Sequence, residues 1–352
     1  MKLLTLIGGT LGAALTVWLL ARFGLDHVLT LLHEAGWGIV LVVAFHLVQI
    51  LFSAAAWRAI AGRAAPKPSL PQFMLLRWVR EGVNNLLPVA QVGGEFVVAR
   101  LLKRRGMTLT HATACTVCDL TTEMVTQILF TITGLLTLLA LVGRSHVTDE
   151  VLGGIGIACL AALGFIGGQW FGLAGLLERG MMRLAAQFGW QGMGEIAGLQ
   201  EAITGLYRSP RAVGLALLHH SISWLLGAVE ICLALHFLGH DVSLAKGLVI
   251  ESLSQAVKAT GFIVPGALGV SEGGFVVVGA LLGLAPPVSI ALALIKRLRE
   301  IGLGLPALAT WQWLEHHWRP DPAAARSSGD ADTRTGREKG EIEAAFDYGD
   351  AS

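Results

Sequence analysis

Residues 84–96 read NNLLPVAQVGGEF, and residues 261–273 read GFIVPGALGVSEG. Laid over one another without a gap, they pair Pro88 with Pro265, Ala90 with Ala267 and Glu95 with Glu272, all at one offset (272 − 95 = 177). The offset continues downstream, where Ala114 falls on Ala291 and Glu123 on Glu300 (300 − 123 = 177). Alanine matches carry little weight, since small residues are common in membrane helices. The two glutamates carry more, because a carboxylate within an apolar segment is costly and uncommon. The pattern predicts an internal repeat with halves at about 37–142 and 213–318.

Both stretches sit in strongly apolar surroundings. Hydrophobic residues fill 54% of 352 positions and charged residues 14%, whereas a soluble domain averages about a quarter charged. Mean hydropathy is +0.64. Segments 3–20, 37–56, 120–142, 151–173, 213–238 and 288–314 are each long enough to cross a bilayer, which takes roughly 20 mostly apolar residues. Segments 75–98 and 248–284 are as apolar, but Gly and Pro interrupt them and they carry charge.

Lys and Arg gather in cytoplasmic loops. Arg58, Arg63 and Lys67 precede the first interrupted segment, and Arg100, Lys103, Arg104 and Arg105 follow it. A segment with both ends on one side enters and returns, so 69–105 is expected to form a re-entrant hairpin turning near Pro88. Arg179, Arg183, Arg208, Arg211 and the tail after Trp318 fall on the same side, and the loops near Asp26 and Asp149 on the other. The expected fold is an all-α integral membrane protein. It has about six full transmembrane helices and two re-entrant helical hairpins arranged as an inverted repeat, with both termini cytoplasmic.

Within this plan residues 1–318 form the polytopic membrane domain. Segment 178–211 reads as amphipathic helices on the cytoplasmic surface, and 319–352, polar and weakly patterned, as a disordered tail. The first apolar run, preceded by Lys2 and followed by no convincing small-residue cleavage site, reads as a retained helix.

A charge at the bilayer centre costs on the order of 3 kcal/mol on insertion scales, and persists where it faces a bundle interior or a wet cavity. Arg77, Glu81 and Asn84, with Arg80 beside them, share one face of the first hairpin's entering helix by i,i+3 and i,i+4 spacing. Asp119 and Glu123 share a face of the following span. Lys296, Arg299 and Glu300 do the same in the last span, and Lys258 lies in the second hairpin. The repeat sets Asp119 and Glu123 at the depth of Lys296 and Glu300, so pairing across a pseudo-twofold axis is expected. Ion pairs stapling the hairpins would explain any one of these residues; their convergence favours a polar cavity. Gly93, Gly94, Gly269, Gly273 and Gly274 are expected to allow close backbone approach.

Several other functions find little support. A net charge of +1 with no basic, aromatic-interleaved patch gives no nucleic-acid partner. Cys115, Cys118, Cys159 and Cys232 fall in or beside apolar helices, which favours buried packing over disulfides or a redox pair. His219 and His220 point to different helix faces and read as core or interface residues, not as metal ligands. Asp119 and Glu123 lack a neighbouring nucleophile, ligand set or phosphate loop, so no catalytic residue, metal or cofactor is assigned. Trp311, Trp313 and Trp318 read as an interfacial aromatic belt.

With these segments in place, the chain resembles the membrane-domain (flippase-like) family of lysylphosphatidylglycerol synthases, and within it the hopanoid-associated HpnL branch. The resemblance spans about residues 1–318. Three blocks carry it: RWVREGVNNLLPVAQVGGEFVVARLL (77–102), ESLSQAVKATGFIVPGALGVSEGGFVVVGALLGL (251–284) and ALALIKRLREIGLGLPAL (291–308). The resemblance implies lipid translocation in a bacterial inner membrane through a cavity reaching both leaflets. It implies a polar core that includes Arg80, Asn84, Pro88, Glu95, Pro265, Glu272, Arg299 and Glu300. Full synthases carry a soluble aminoacyl-transferase domain after the membrane part. Only a short tail follows here, so lysyl transfer is not expected.

The expected function is flippase-like transport of a polar-headed membrane lipid, a hopanoid or a phospholipid, with hopanoid-pathway proteins as possible partners. Arg and Lys would hold an anionic or hydroxylated headgroup, and the carboxylates would take up protons. Two rival readings stand beside it: an intramembrane enzyme modifying lipid headgroups, and a non-transporting scaffold for hopanoid-modifying enzymes.

Overall fold

A computed structural model of the protein describes residues 25–62, 68–87, 93–143, 198–261 and 264–318, with isolated positions elsewhere. The spans expected at 3–20 and 151–173, most of segment 178–211, the tail, Pro88 and Cys159 lie outside the described residues. Among the described residues there is no strand. Ten helices follow in order: α1 (Leu25–Ala35), α2 (Trp37–Ile60), α3 (Leu70–Leu86), α4 (Gly93–Arg104), α5 (Leu109–Val142), α6 (Leu199–Tyr207), α7 (Pro210–Phe237), α8 (Leu244–Thr260), α9 (Val270–Leu281) and α10 (Pro286–His317). A short 3₁₀ turn, Pro265–Ala267, stands before α9.

Local chemistry sets the helix starts. The Ser69 backbone N–H donates to Gln72 Oε1 at 2.8 Å, closing the first turn of α3. Thr108 Oγ1 accepts from the His111 N–H at the start of α5, and Ser243 Oγ accepts from the Lys246 N–H at the start of α8. These side-chain oxygens satisfy amides that have no partner within the helix. Pro286 and Pro287 open α10, where a missing N–H costs nothing.

Three described helices are long and apolar enough to cross a membrane: α2, α5 and α7. With 32 residues, α10 has the length, but the charges at Lys296, Arg297, Arg299 and Glu300 interrupt its apolar character. Contacts fix the helix directions. Gly38 meets Phe237, His46 meets Glu230 and Ser53 meets Ser223, so α2 and α7 run antiparallel. Phe73 and Leu76 near the start of α3 share a core with Ala112 and Cys115 near the start of α5, so these two helices start at the same end.

Two apolar cores form, one toward each end of the bundle. One gathers Val28, Val42, Leu138, Leu235, Ile250, Val278 and Ile290. The other gathers Trp57, Phe73, Leu101, Cys115, Ile203, Ala216 and Leu314. Along α5, α7 and α10 the buried charged residues Asp119, Glu230, Lys296, Arg299 and Glu300 fall between these two cores. The chain thus buries charge at mid-height and exposes apolar side chains such as Leu41, Leu51, Leu136, Leu218, Leu225 and Leu305. That inversion of the soluble pattern suits a molecule whose perimeter meets lipid.

Helices α3 and α4 lie side by side. Phe73 and Leu76 near the start of α3 share one core with Leu101 and Leu102 near the end of α4. Helices α8 and α9 do the same at the opposite end, where the Lys246 ammonium donates to Leu282 O at 3.3 Å. Helix boundaries also keep the 177-residue spacing. Both α4 and α9 have 12 residues and start at 93 and 270 (270 − 93 = 177). Helices α5 and α10 start at 109 and 286, and α2 and α7 end at 60 and 237. Helices α3 and α8 have 17 residues each but start 174 apart (244 − 70 = 174), because the connection before α9 is three residues longer. The ungapped register of the sequence therefore slips there: Asn84 has Lys258 as its helical counterpart, not Gly261.

Candidate functional site

The spacing of Arg77, Arg80, Glu81 and Asn84 puts all four on one side of α3, facing α5, α4 and α2. The Arg77 guanidinium grips Glu123 through both nitrogens, at 2.6 and 2.7 Å. Arg80 reaches three carboxylates: Asp119 at 2.6 Å, Glu123 at 2.6 Å and Glu95 at 3.0 Å. Asn84 donates to Glu95 and accepts from the Gly94 N–H at 2.8 Å. Gly94 has no room for a side chain, since a Cβ there would stand 2.5 Å from Arg80 O. The tight backbone contact is what lets Glu95, at the start of α4, reach Arg80.

A second group centres on Glu230 of α7, which is fully buried. Its carboxylate accepts from Arg299 Nη1 at 2.5 Å and Gln49 Nε2 at 2.5 Å, and lies 2.9 Å from His46 Nδ1. Lys296 Nζ stands 3.2 Å from Glu230 and donates to both oxygens of Glu251 at 2.8 and 2.9 Å. The other ring nitrogen of His46 contacts Glu81 at 2.7 Å, and His220 contacts Asp119 at 3.0 Å. A third group lies beside the second hairpin. Lys258 and Arg297 both bind Glu300, at 2.6 and 2.7 Å; Arg297 also binds Glu272 at 2.9 Å and the Gly266 carbonyl at 2.8 Å.

These groups surround a cavity of about 260 Å³. Arg77, Arg80, Glu81, Asn84, Glu95, Glu123, Lys258 and Arg299 reach its wall. Asp119, Glu272, Lys296 and Glu300 stand one layer behind, buried and paired. His46, Gln49, Asn85, Gln127, His220, Ser223, Glu251 and Gln255 complete the polar wall. Ile50, Leu120, Met124 and Trp224 add an apolar strip, with Trp224 stacked on Phe130 at 5.8 Å between ring centroids.

Two expectations need correction. Asp119 and Glu123 do not pair with Lys296 and Glu300 across a pseudo-axis. Arg77, Arg80 and His220 take the first two, while Lys296 turns to Glu251 and Glu230, and Glu300 to Lys258 and Arg297. Among the glycines, a Cβ on Gly274 would stand 3.0 Å from Val257 and Gly269 adopts φ +76°, but a Cβ on Gly273 would meet open space. His219 and His220 do face different ways: His220 turns inward to Asp119, and His219 bonds back to Leu215 O. Cys115, Cys118 and Cys232 are free thiols, the first two buried. Among the described residues no three His, Cys, Asp or Glu side chains are placed to hold a metal ion.

A wall of this kind, charged at mid-height and enclosed by helices with apolar outer faces, belongs to a protein that works within a bilayer. The family described as the lysylphosphatidylglycerol synthase TM region matches residues 5–306. The chain belongs to that family. No curated protein and no solved structure matches it. Membership makes the chain a multi-pass membrane protein of a lipid-related family. All described charges of the cavity lie inside the matched region of the family.

Proposed function

We propose that the protein moves the polar headgroup of a membrane lipid through the mid-height cavity, in the manner of a flippase. The observation that carries this reading is the cavity itself. It joins a hydrogen-bonding wall to an apolar strip at the depth where a headgroup in transit needs water's replacement. In this reading α3–α4 and α8–α9 are re-entrant hairpins opening to opposite faces, and the two halves form an inverted repeat meeting at the cavity. Six full spans, a bacterial inner-membrane location and cytoplasmic termini complete the arrangement. The cargo class is a hopanoid or a phospholipid, and the resemblance to the hopanoid-associated branch favours the former.

The structure refines how a headgroup would be held. Each cation on the wall already has a carboxylate partner, so a headgroup binds by exchanging into ion pairs, not by filling a vacant cationic site. The test uses purified protein in vesicles of the host's total lipid, with impermeant periodate for vicinal diols and trinitrobenzenesulfonate for amines. Empty vesicles react at the outer leaflet alone. The proposal expects one lipid class to react beyond that leaflet when the protein is present, and the excess to be lost in Glu95→Gln. Equal labelling of every class with and without protein would sink the reading. Conversion of a lipid to a new species would replace it with headgroup chemistry.

A further inference from the structure

His46 sits on the cavity wall in the middle of α2, 7% exposed, and joins three other helices. Its Nε2 lies 2.7 Å from Glu81 Oε1 on α3. Its Nδ1 faces two opposite partners at once: Glu230 Oε2 on α7, an acceptor, at 2.9 Å, and Arg299 Nη1 on α10, a donor, at 3.1 Å. A ring with two protons donates to Glu81 and to Glu230. A ring with one proton, on Nε2, donates to Glu81 and accepts from Arg299. Both forms are fully hydrogen-bonded, so neither leaves a buried polar atom without a partner.

The surrounding charge supports a ring that changes state. Among the described residues, eight carboxylates (Glu81, Glu95, Asp119, Glu123, Glu230, Glu251, Glu272, Glu300) share this layer with six Lys and Arg cations (Arg77, Arg80, Lys258, Lys296, Arg297, Arg299). The excess of two acids matches the two histidines that touch them, His46 and His220. The charged groups facing His46 come from every neighbouring element: Glu81 from α3, Glu230 from α7, and Arg299 with Lys296 behind Glu230 from α10. Gln49, on α2 itself, holds Glu230 in place. Among the described residues, the hydrogen-bond partner of His220 is Asp119, through Nε2.

We propose that His46 is a proton-binding site of the cavity, exchanging the Glu230 contact for the Arg299 contact each time the proton leaves. The bound proton ties α2 to α7; its loss turns Nδ1 to Arg299 of α10 and leaves Glu230 to the partners it already has, Arg299, Lys296 and Gln49. The use of this step in transport rests on the function proposed above, with the proton as the coupled ion. The step moves one proton between the Nδ1 atom and cavity water and breaks no covalent bond.

The test is two-bond ¹H–¹⁵N NMR of ¹⁵N-histidine-labelled protein in nanodiscs of phosphatidylcholine and phosphatidylglycerol, from acid to alkaline pH. His46→Asn assigns the resonance. The expected result is a ring protonated on both nitrogens at low pH that converts to the Nε2–H form as pH rises. Glu230→Gln removes the negative charge that favours the two-proton ring and should lower the midpoint by about one pH unit or more, a tenfold change in proton affinity. Glu81→Gln, nearer the cavity, should act in the same direction and stands in if Glu230→Gln fails to fold. A ring fixed in one state across the range, or midpoints unmoved by the available variant, overturns the site. Parallel lipid labelling in vesicles under a pH gradient separates the two claims. Loss of gradient dependence in His46→Asn with transport retained supports coupling. A protein that titrates at His46 but moves no lipid leaves the proton site standing and removes the transport reading.

Discussion

Arg80 answers three carboxylates from two helices while only 3% of its surface meets solvent. Removing its guanidinium leaves Asp119, Glu123 and Glu95 short of a partner, the situation in which a broken buried ion pair costs about 3–5 kcal/mol. Arg80→Ala should lower the unfolding free energy in bicelles by that order. Arg100→Ala, whose partner Glu315 is 3.5 Å from a mostly exposed side chain, should cost less than about 1 kcal/mol. Equal losses for the two would contradict the buried network. The cluster was partly legible in the sequence. Arg77, Arg80, Asp119 and Glu123 stand out because charge in an apolar context needs a reason. His46, Gln49, Glu230 and Glu251 did not, because each looks isolated along its own helix. Their ionic partners arrive from α2, α3, α7 and α10, through packing that no local spacing reports.

Helices α3 and α10 approach more closely than ordinary side chains allow. Gly82 of α3 meets α10 so tightly that a Cβ would lie 2.7 Å from Ala307 Cβ and 3.1 Å from Gly304 O. Gly82→Val should therefore destabilise by about 1–3 kcal/mol through overpacking, read as a lower midpoint of unfolding. Thr108→Ala, which removes the cap of α5, should cost about 1 kcal/mol on the same measurement. At this scale the 177-residue spacing that several helix boundaries keep was readable from Glu95, Glu272, Glu123 and Glu300. The slip of three residues at α3 and α8 was hidden, because Pro88 and Pro265 match on the far side of it. In α6 Ile203 and Leu206 face the core, while Glu201, Thr204 and Gly205 are exposed.

Over the whole molecule, charge at mid-height separates two apolar cores, and in the proposed arrangement each hairpin returns to the end from which it starts. That arrangement predicts sidedness. In a cysteine-less background, Ser69→Cys and Lys103→Cys should react with an impermeant maleimide from one face of the membrane. Asp241→Cys and Gly283→Cys should react from the other. Ser69 and Lys103 on opposite faces would rule out the re-entrant arrangement. Hydropathy finds α2, α5 and α7 without difficulty but understates α10, since Lys296, Arg297, Arg299 and Glu300 lower its apolar score for the reason that places it at the cavity. The measurement that tests the central claim most directly is lipid analysis of a strain lacking this protein, comparing total and outer-leaflet amounts of each hopanoid and phospholipid. Transport through the cavity predicts one class that keeps its total but loses outer-leaflet exposure, restored by the wild-type chain and not by Glu95→Gln. A modified lipid that vanishes while its precursor accumulates, with leaflet distribution unchanged, would contradict it.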